Sequence, residues 1–330
     1  MNRGLYQLLK LEGVRVAALT PGTVEGRLTT LPVAPGGAFD PTTGKGSVGL
    51  EGGVEFKAGK RRVALSGLVL DTTRHTLTGK VGARTLLIAS TIGLKETREG
   101  FGAKVAVKSL KLRGTAAKIL NRKLGLDGVF RRGRSFAEAS SSTQPASVPI
   151  AGGSAVLVGD EETFAKLKAL DVALTPFESA RVLGTNPPTF SFPLLPSGAA
   201  VPLDLSSGGV GSETGLRLIQ QGGPPPAELS VVGLSASLEA KIISADTSVQ
   251  SPSAGPSRFG VTPIATLDTG SASRSIDPST RTITLANAAA KINQFLAERL
   301  NDAFAKPPGK GPTFTAGEPL GTVAITVQAP

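Results

Sequence analysis

Cysteine and tryptophan are absent from this 330-residue chain, and histidine, tyrosine and methionine occur once each. The missing thiols exclude disulfides, thiolate catalysis and Cys-based zinc sites, while leaving the redox compartment open. A single histidine, His75, and scattered carboxylates form no metal-ligand set at a familiar spacing. No Gly-x-Ser-x-Gly elbow occurs, so a serine hydrolase would have to take His75 as its only histidine base. No carboxylate pair stands out for glycoside hydrolysis, and an enzyme is not expected. Aromatic residues make up 4%, too few to interleave stacking platforms with basic residues, so nucleic acid is not an expected partner. No stretch approaches the roughly 18 uninterrupted apolar residues of a membrane span, and no transmembrane segment is expected. The opening Met1-Asn2-Arg3-Gly4-Leu5-Tyr6 lacks the basic region and apolar core of a signal peptide.

Glycine and proline are abundant, at 41 and 24 residues, which suits many short strands better than long helices. Hydrophobic residues reach 40%, enough for globular lobes, and the length allows two domains of ordinary size. Charge is uneven. Residues 1–150 hold 24 Lys and Arg against 10 Asp and Glu, a net +14, whereas the remainder holds 12 against 15, a net −3. The basic half could lie against an anionic cell-envelope polymer, lipid headgroups or an acidic small ligand; the plainer reading is a solvated face that keeps a β-rich protein in solution.

The chain also repeats itself. Val16-Ala17-Ala18-Leu19-Thr20-Pro21 is echoed by Val172-Ala173-Leu174-Thr175-Pro176, and the run Gly46 to Phe56 by Gly208 to Leu218, with glycines and apolar residues at the same intervals. Val63-x-Leu65-x-Gly67-Leu68 matches Leu229-x-Val231-x-Gly233-Leu234, Leu77-x-x-Lys80-Val81 matches Leu238-x-x-Lys241-Ile242, and Ile88-Ala89-Ser90-Thr91 matches Ile264-Ala265-Thr266-Leu267. Leu110 to Asn121 is set against Ile283 to Asn293, and each copy closes on an aromatic, two residues and a glycine, Phe130 to Gly133 and Phe314 to Gly317. Such duplication implies either two equivalent sites or one site at a seam.

Alternating apolar residues at Val48, Leu50, Val54, Phe56 and at Val63, Leu65, Leu68, Leu70 predict strands, with Gly52-Gly53 and Gly59-Lys60 as turns. From Thr115, the spacing Ala116, Ile119, Leu120, Leu124 predicts a helix stopped by Gly125; in the second copy Ala289, Ile292, Phe295, Leu296, Leu300 and Phe304 predict its counterpart. Shorter helices are expected over Leu5 to Leu11 and after Asp160. Ser154 to Val158 is read as the last strand of the first lobe, which places the boundary near 160: a basic lobe over 1–160 and a second over 161–330. Loops are expected at 222–226, 251–257 and 307–312. The fold class is mainly β: two tandem antiparallel, sandwich-like lobes, each with one main helix.

Gly44-Lys45-Gly46-Ser47-Val48-Gly49 spells the dinucleotide fingerprint, but that motif needs a following helix to receive phosphate, and here it opens a strand pattern. His75 sits in a polar turn between two strands. The ordered blocks, a short helix, a Thr-Pro turn, Gly52-Gly53-Val54-Glu55-Phe56, Val63 to Leu70 and a late Ala-Ala segment, resemble the haem-transport-associated (HtaA-type) domain of actinobacterial cell-surface proteins. That resemblance implies exported β-rich binding modules, extracellular or at the cell surface, with the leader already removed from this chain. Some family members bind haem through a tyrosine near the N-terminal helix assisted by a strand histidine. Tyr6 can be set against that tyrosine, but Val54 to Lys60 has no histidine, and His75 lies further along in a different context. Opposite Tyr6 in the second copy stands Glu162, and that lobe holds no tyrosine or histidine. Haem is thus a cofactor to test at Tyr6 and His75. An alternative is a carrier that holds an apolar or lipid ligand between sheet and helix, around Ile119, Leu120, Ile292, Phe295 and Leu296.

Overall fold

In the computed structural model, residues 1–37, 39–40, 43–220, 226–251, 255–304 and 313–330 are described. Of the loops expected at 222–226, 251–257 and 307–312, residues 222–225, 252–254 and 307–312 lie outside them, while Ser251 and Gly255 to Ser257 are strand residues. The chain divides into two compact units, Met1–Pro145 and Ala146–Pro330, and the fold is mainly β, as the alternation and the turn-rich composition imply.

Unit 1 runs α1 (Arg3–Leu11), β1 (Val14–Leu19), β2 (Thr23–Glu25), β3 (Leu28–Thr30), β4 (Ser47–Ala58), β5 (Arg61–Asp71), β6 (Thr76–Val81), β7 (Arg84–Glu99), β8 (Gly102–Leu112), α2 (Gly114–Leu124) and β9 (Ser135–Thr143). Seven of these strands form one antiparallel sheet in the order β1-β4-β5-β6-β7-β8-β9, and β2 pairs with β3. Asn2 caps α1 by accepting from the Gly4 and Leu5 N–H groups, and its own N–H donates to the Phe136 carbonyl at 3.0 Å. That bond ties the start of α1 to β9, one edge of the sheet, while its end leads into β1, the other edge. The helix therefore spans the two edges and shields the apolar face, burying Leu5 and Leu9. Gly125 ends α2 with φ 68, the left-handed geometry that glycine adopts without penalty.

Unit 2 runs β10 (Ser147–Ile150), β11 (Gly152–Gly159), α3 (Glu161–Ala169), β12 (Val172–Phe177), β13 (Arg181–Thr185), β14 (Pro188–Pro193), β15 (Ser197–Pro202), β16 (Gly209–Gly211), β17 (Gly215–Gln220), β18 (Ala227–Ser237), β19 (Ile242–Ser251), β20 (Gly255–Asp268), β21 (Ser273–Asp277), β22 (Thr282–Ile292), α4 (Gln294–Ala303) and β23 (Pro319–Gln328). Its main sheet follows β12-β17-β18-β19-β20-β22-β23-β11-β14-β13. The strand expected to finish the first lobe, β11, instead lies between β23 and β14 in unit 2, because Ser154 to Val158 pair with Thr326 to Thr322 and with Pro193 to Thr189.

The same registers recur in both units. Val54 pairs with Leu65 and Leu216 with Val231; Val16 pairs with Phe56 and Leu174 with Leu218. A Cβ on Gly53 would meet the Leu65 carbonyl oxygen at 2.0 Å, and one on Gly215 the Val231 carbonyl oxygen, also at 2.0 Å. Gly52-Gly53 is thus a bulge inside β4 and not a turn. After α2, the Asn121 side chain donates to the Phe130 carbonyl at 2.8 Å and accepts from the Phe130 N–H at 2.9 Å; Asn301 makes the same two bonds to Phe314, at 2.7 and 3.2 Å. Asp160 caps α3 as Asn2 caps α1, and its N–H donates to Leu320 at 3.1 Å.

These shared bonds correct several of the sequence matches. Register sets Val14 opposite Val172, so Thr20-Pro21 follows β1 whereas Thr175-Pro176 lies inside β12. Leu77 is in β6, but Leu238 precedes β19; the left-handed residues His75 and Lys241, each just before its return strand, are the true counterparts. The helix-opening residues Arg113 and Asn293 donate to Ile88 and Ile264 at 2.9 and 3.1 Å, which slides Leu110 to Asn121 seven residues away from Ile283 to Asn293. Ala289 and Ile292 are strand residues paired with Thr322 and hydrogen-bonded to Glu318, and α4 begins only after Asn293 caps Leu296.

Candidate functional site

With those equivalences fixed, the two interiors can be compared position by position. In unit 1, Phe56 meets Phe130 edge-on with centroids 5.6 Å apart and Phe136 at 6.3 Å, all three buried. Their counterparts in unit 2 are Leu218, Phe314 and Leu320. Leu5 and Leu65 give way to Thr163 and Val231, so the wall recedes at four positions; Leu296 in place of Ala116 returns part of the space. The result is a cavity of about 130 Å³ between the sheet and helices α3 and α4, lined by Leu218, Leu320, Val231, Leu296 and Leu300. Strands β11 and β14, which extend the unit 2 sheet past β23 where the main sheet of unit 1 ends at β9, add Leu157 and Phe192 to the wall.

The wall is almost wholly hydrocarbon, and its buried hydroxyls are already engaged. Thr163 Oγ1 donates to the Pro319 carbonyl at 2.7 Å, and Ser212 Oγ lies 2.8 Å from Thr214 Oγ1. Leu234 and Ile243 are half-buried and Ser235 is exposed, so the cavity reaches solvent along this side. An apolar space of this size stays dry and takes up apolar groups. Of the carrier residues expected from sequence, Ile292 and Leu296 line the cavity; Phe295 packs edge-on against Phe259 at 5.6 Å, and Ile119 and Leu120 belong to the core of unit 1. Sequence reasoning did pair Phe56 with Leu218, but the loss of ring volume has meaning only once both are seen facing inward.

Tyr6 lies on α1, half-buried, with the Lys10 ammonium 5.3 Å from its ring centroid. His75 is exposed in the β5–β6 turn at φ 54, and its backbone carbonyl accepts from the Thr91 N–H at 2.9 Å. Among the described residues no hydrogen bond or ring contact joins the two. The caps Asn2 and Asp160 put Phe164, not Glu162, opposite Tyr6; Phe164 is buried and lies 6.1 Å from Phe190. Gly46-Ser47 leads into β4, so the dinucleotide reading of Gly44 to Gly49 has no helix to serve it.

Fold and cavity together define a tandem pair of mainly β modules of one architecture, the second of them hollow. No protein-family model and no curated protein matches the chain. Among solved structures, it is similar to the C-terminal domain of HtaA from Corynebacterium glutamicum, at 14% identity over 55% of this chain and 98% of that one, with a TM-score of 0.42. The N-terminal domain of HtaA from the same organism matches at 13% identity, 55% and 99% coverage and a TM-score of 0.41. Heme binding protein HtaB, also from C. glutamicum, matches at 13%, with 55% and 95% covered and a TM-score of 0.39.

Proposed function

We propose that the chain is a non-enzymatic binding protein whose second unit takes a small apolar group between its sheet and helices. The observation that supports this is the hydrocarbon-walled cavity of about 130 Å³. It is smaller than the roughly 300–1,000 Å³ of sites that enclose a whole drug-sized ligand, so it suits one ring or the end of an alkyl chain. The rest of such a ligand would leave beside Leu234 and Ser235. Native mass spectrometry of freshly purified full-length chain tests the reading: a lipophilic adduct is expected, and the paired change Leu218→Phe and Leu320→Phe should remove it. No adduct, together with no uptake of octanoate or butylbenzene by the wild-type chain, would defeat it. An extracellular or cell-surface location belongs to the same proposal and rests on the sequence resemblance; fractionation of expressing cells checks it.

A second reading, haem in unit 1, is favoured by one placement. Tyr6 stands half-buried on α1, and its phenol oxygen is the kind of atom that holds haem iron. When bound, haem would supply an iron centre held by that oxygen. Among the described residues no hydrogen bond or ring contact joins His75 to Tyr6, and in unit 2 Phe164, opposite Tyr6, offers no ligand atom. Titration with haemin decides: Tyr6→Phe should abolish a Soret shift, and an unchanged spectrum removes Tyr6 from the site.

A further inference from the structure

The register of the first sheet places three cations side by side. Arg15 on β1 pairs with Lys57 on β4, and Lys57 pairs with Arg62 on β5. Directly paired residues point to one face, and all three are exposed, each adjacent in sequence to a buried residue, Val14, Phe56 and Val63. Strands about 4.8 Å apart make this a straight row roughly 10 Å long running across the chains. Like charges directly opposite one another are destabilising, yet among the described residues no ion pair reaches any of the three. The corresponding row in unit 2 is Ala173, Ile219 and Glu228, whose carboxylate pairs with Arg217 at 3.6 Å. The module does not need the cations in order to fold.

We propose that Arg15, Lys57 and Arg62 form a docking strip for a linear polyanion bearing phosphate groups, laid across β1, β4 and β5. A strand-like partner suits the row better than a broad anionic surface, because the next row on the same face is Ala17, Glu55 and Ala64. A flat surface would bring its negative charge against Glu55, whereas a single chain along the row would not. The neighbouring Arg61 is otherwise engaged: its side chain lies over Gly125 at the end of α2. The strip is in unit 1 and is independent of the unit 2 cavity, so either proposal can fail without the other.

Binding of full-length protein to long-chain inorganic polyphosphate, measured across a salt series, is the test. Removing three phosphate contacts with Arg15→Gln, Lys57→Gln and Arg62→Gln should lower the slope of log affinity against log salt by about 2 and weaken binding about tenfold or more at physiological salt. Equal charge removal elsewhere on unit 1, at the exposed Lys104, Lys108 and Lys118, should cost about twofold or less. An equal loss from that control would reduce the effect to net charge and overturn the strip. Lys57→Glu separates binding from folding: it sets a carboxylate between two arginines, so the melting temperature should hold or rise while polyphosphate binding is lost. A fall in melting temperature would make the row a structural feature and overturn its role. Phosphatidylglycerol vesicles should bind the wild type and the triple variant alike; a loss as large as that for polyphosphate would assign the row to a membrane instead.

Discussion

Units 1 and 2 keep the same backbone devices and differ in what those devices enclose. The bulge glycines Gly53 and Gly215, the side-chain clamps of Asn121 and Asn301, and the helix whose cap residue hydrogen-bonds to β9 or β23 and whose end leads into β1 or β12 all recur with matching partners. Each satisfies a backbone group or allows a close backbone approach, so a substitution there leaves a buried donor unpaired or forces two strands apart. Interior side chains carry no such directional demand. The ring cluster Phe56, Phe130, Phe136 could become Leu218, Phe314, Leu320 at the cost of a void, and a void lined by hydrocarbon is itself a binding site. The surface varied as freely, with a basic row in one unit and a neutral-to-acidic one in the other.

The sharpest way to break this comparison is to truncate the matched core positions. Phe56→Ala should cost about 3–5 kcal/mol, while Leu218→Ala, beside space that is already empty, should fall near the low end of about 2–5 kcal/mol. Hydrogen exchange resolved to each unit is the appropriate readout, because a two-domain chain need not melt in one transition. Equal costs would mean that the cavity closes in solution. Next in size, Asn121→Ala and Asn301→Ala should each cost about 2 kcal/mol, since both the N–H and the carbonyl of the facing phenylalanine lose their partner. A large effect in only one unit would end the claim that the clamp is shared. Leu218→Phe with Leu320→Phe should raise unit 2 stability by about 1 kcal/mol if the rings enter the cavity; a drop would show instead that the space is too narrow for them.

The duplication was legible in the sequence because glycines and apolar residues recur in order, and the alternation around Val48 to Leu70 gave the strands correctly. Register was not. Ala116-Ala117-Lys118-Ile119 and Ala289-Ala290-Lys291-Ile292 read alike, but the first is helix and the second strand. Alanine packs equally well beside a bulge or on a helix face, so the pattern carried no conformational information there. The N-cap Asn293, satisfied by the Leu296 N–H at 2.9 Å, was the usable signal for where α4 starts. The cavity and the basic row were out of reach for one reason: each depends on which residues stand opposite one another across strands that are distant in the chain. Lys57 and Arg62 look like any turn-flanking cations until Arg15 is set beside them.

A smaller test uses the turn that joins the first helix of each unit to its first strand. Gly13 sits there at φ 65 in unit 1, and the same register puts Asp171 at φ 55 in unit 2. Left-handed backbone costs an L-residue energy that glycine avoids, though aspartate tolerates it better than most. Gly13→Ala should therefore destabilise unit 1 by about 1 kcal/mol. Asp171→Gly should leave unit 2 unchanged or gain less than about 1 kcal/mol, the relief of strain being offset by the greater freedom of glycine in the unfolded chain. A loss in unit 1 with no loss in unit 2, read by the same exchange experiment, is what one shared turn with two different residues requires. If Gly13→Ala proved harmless, the two turns would differ in geometry, and the placement of Tyr6 opposite Phe164, which depends on the same register, would have to be redrawn.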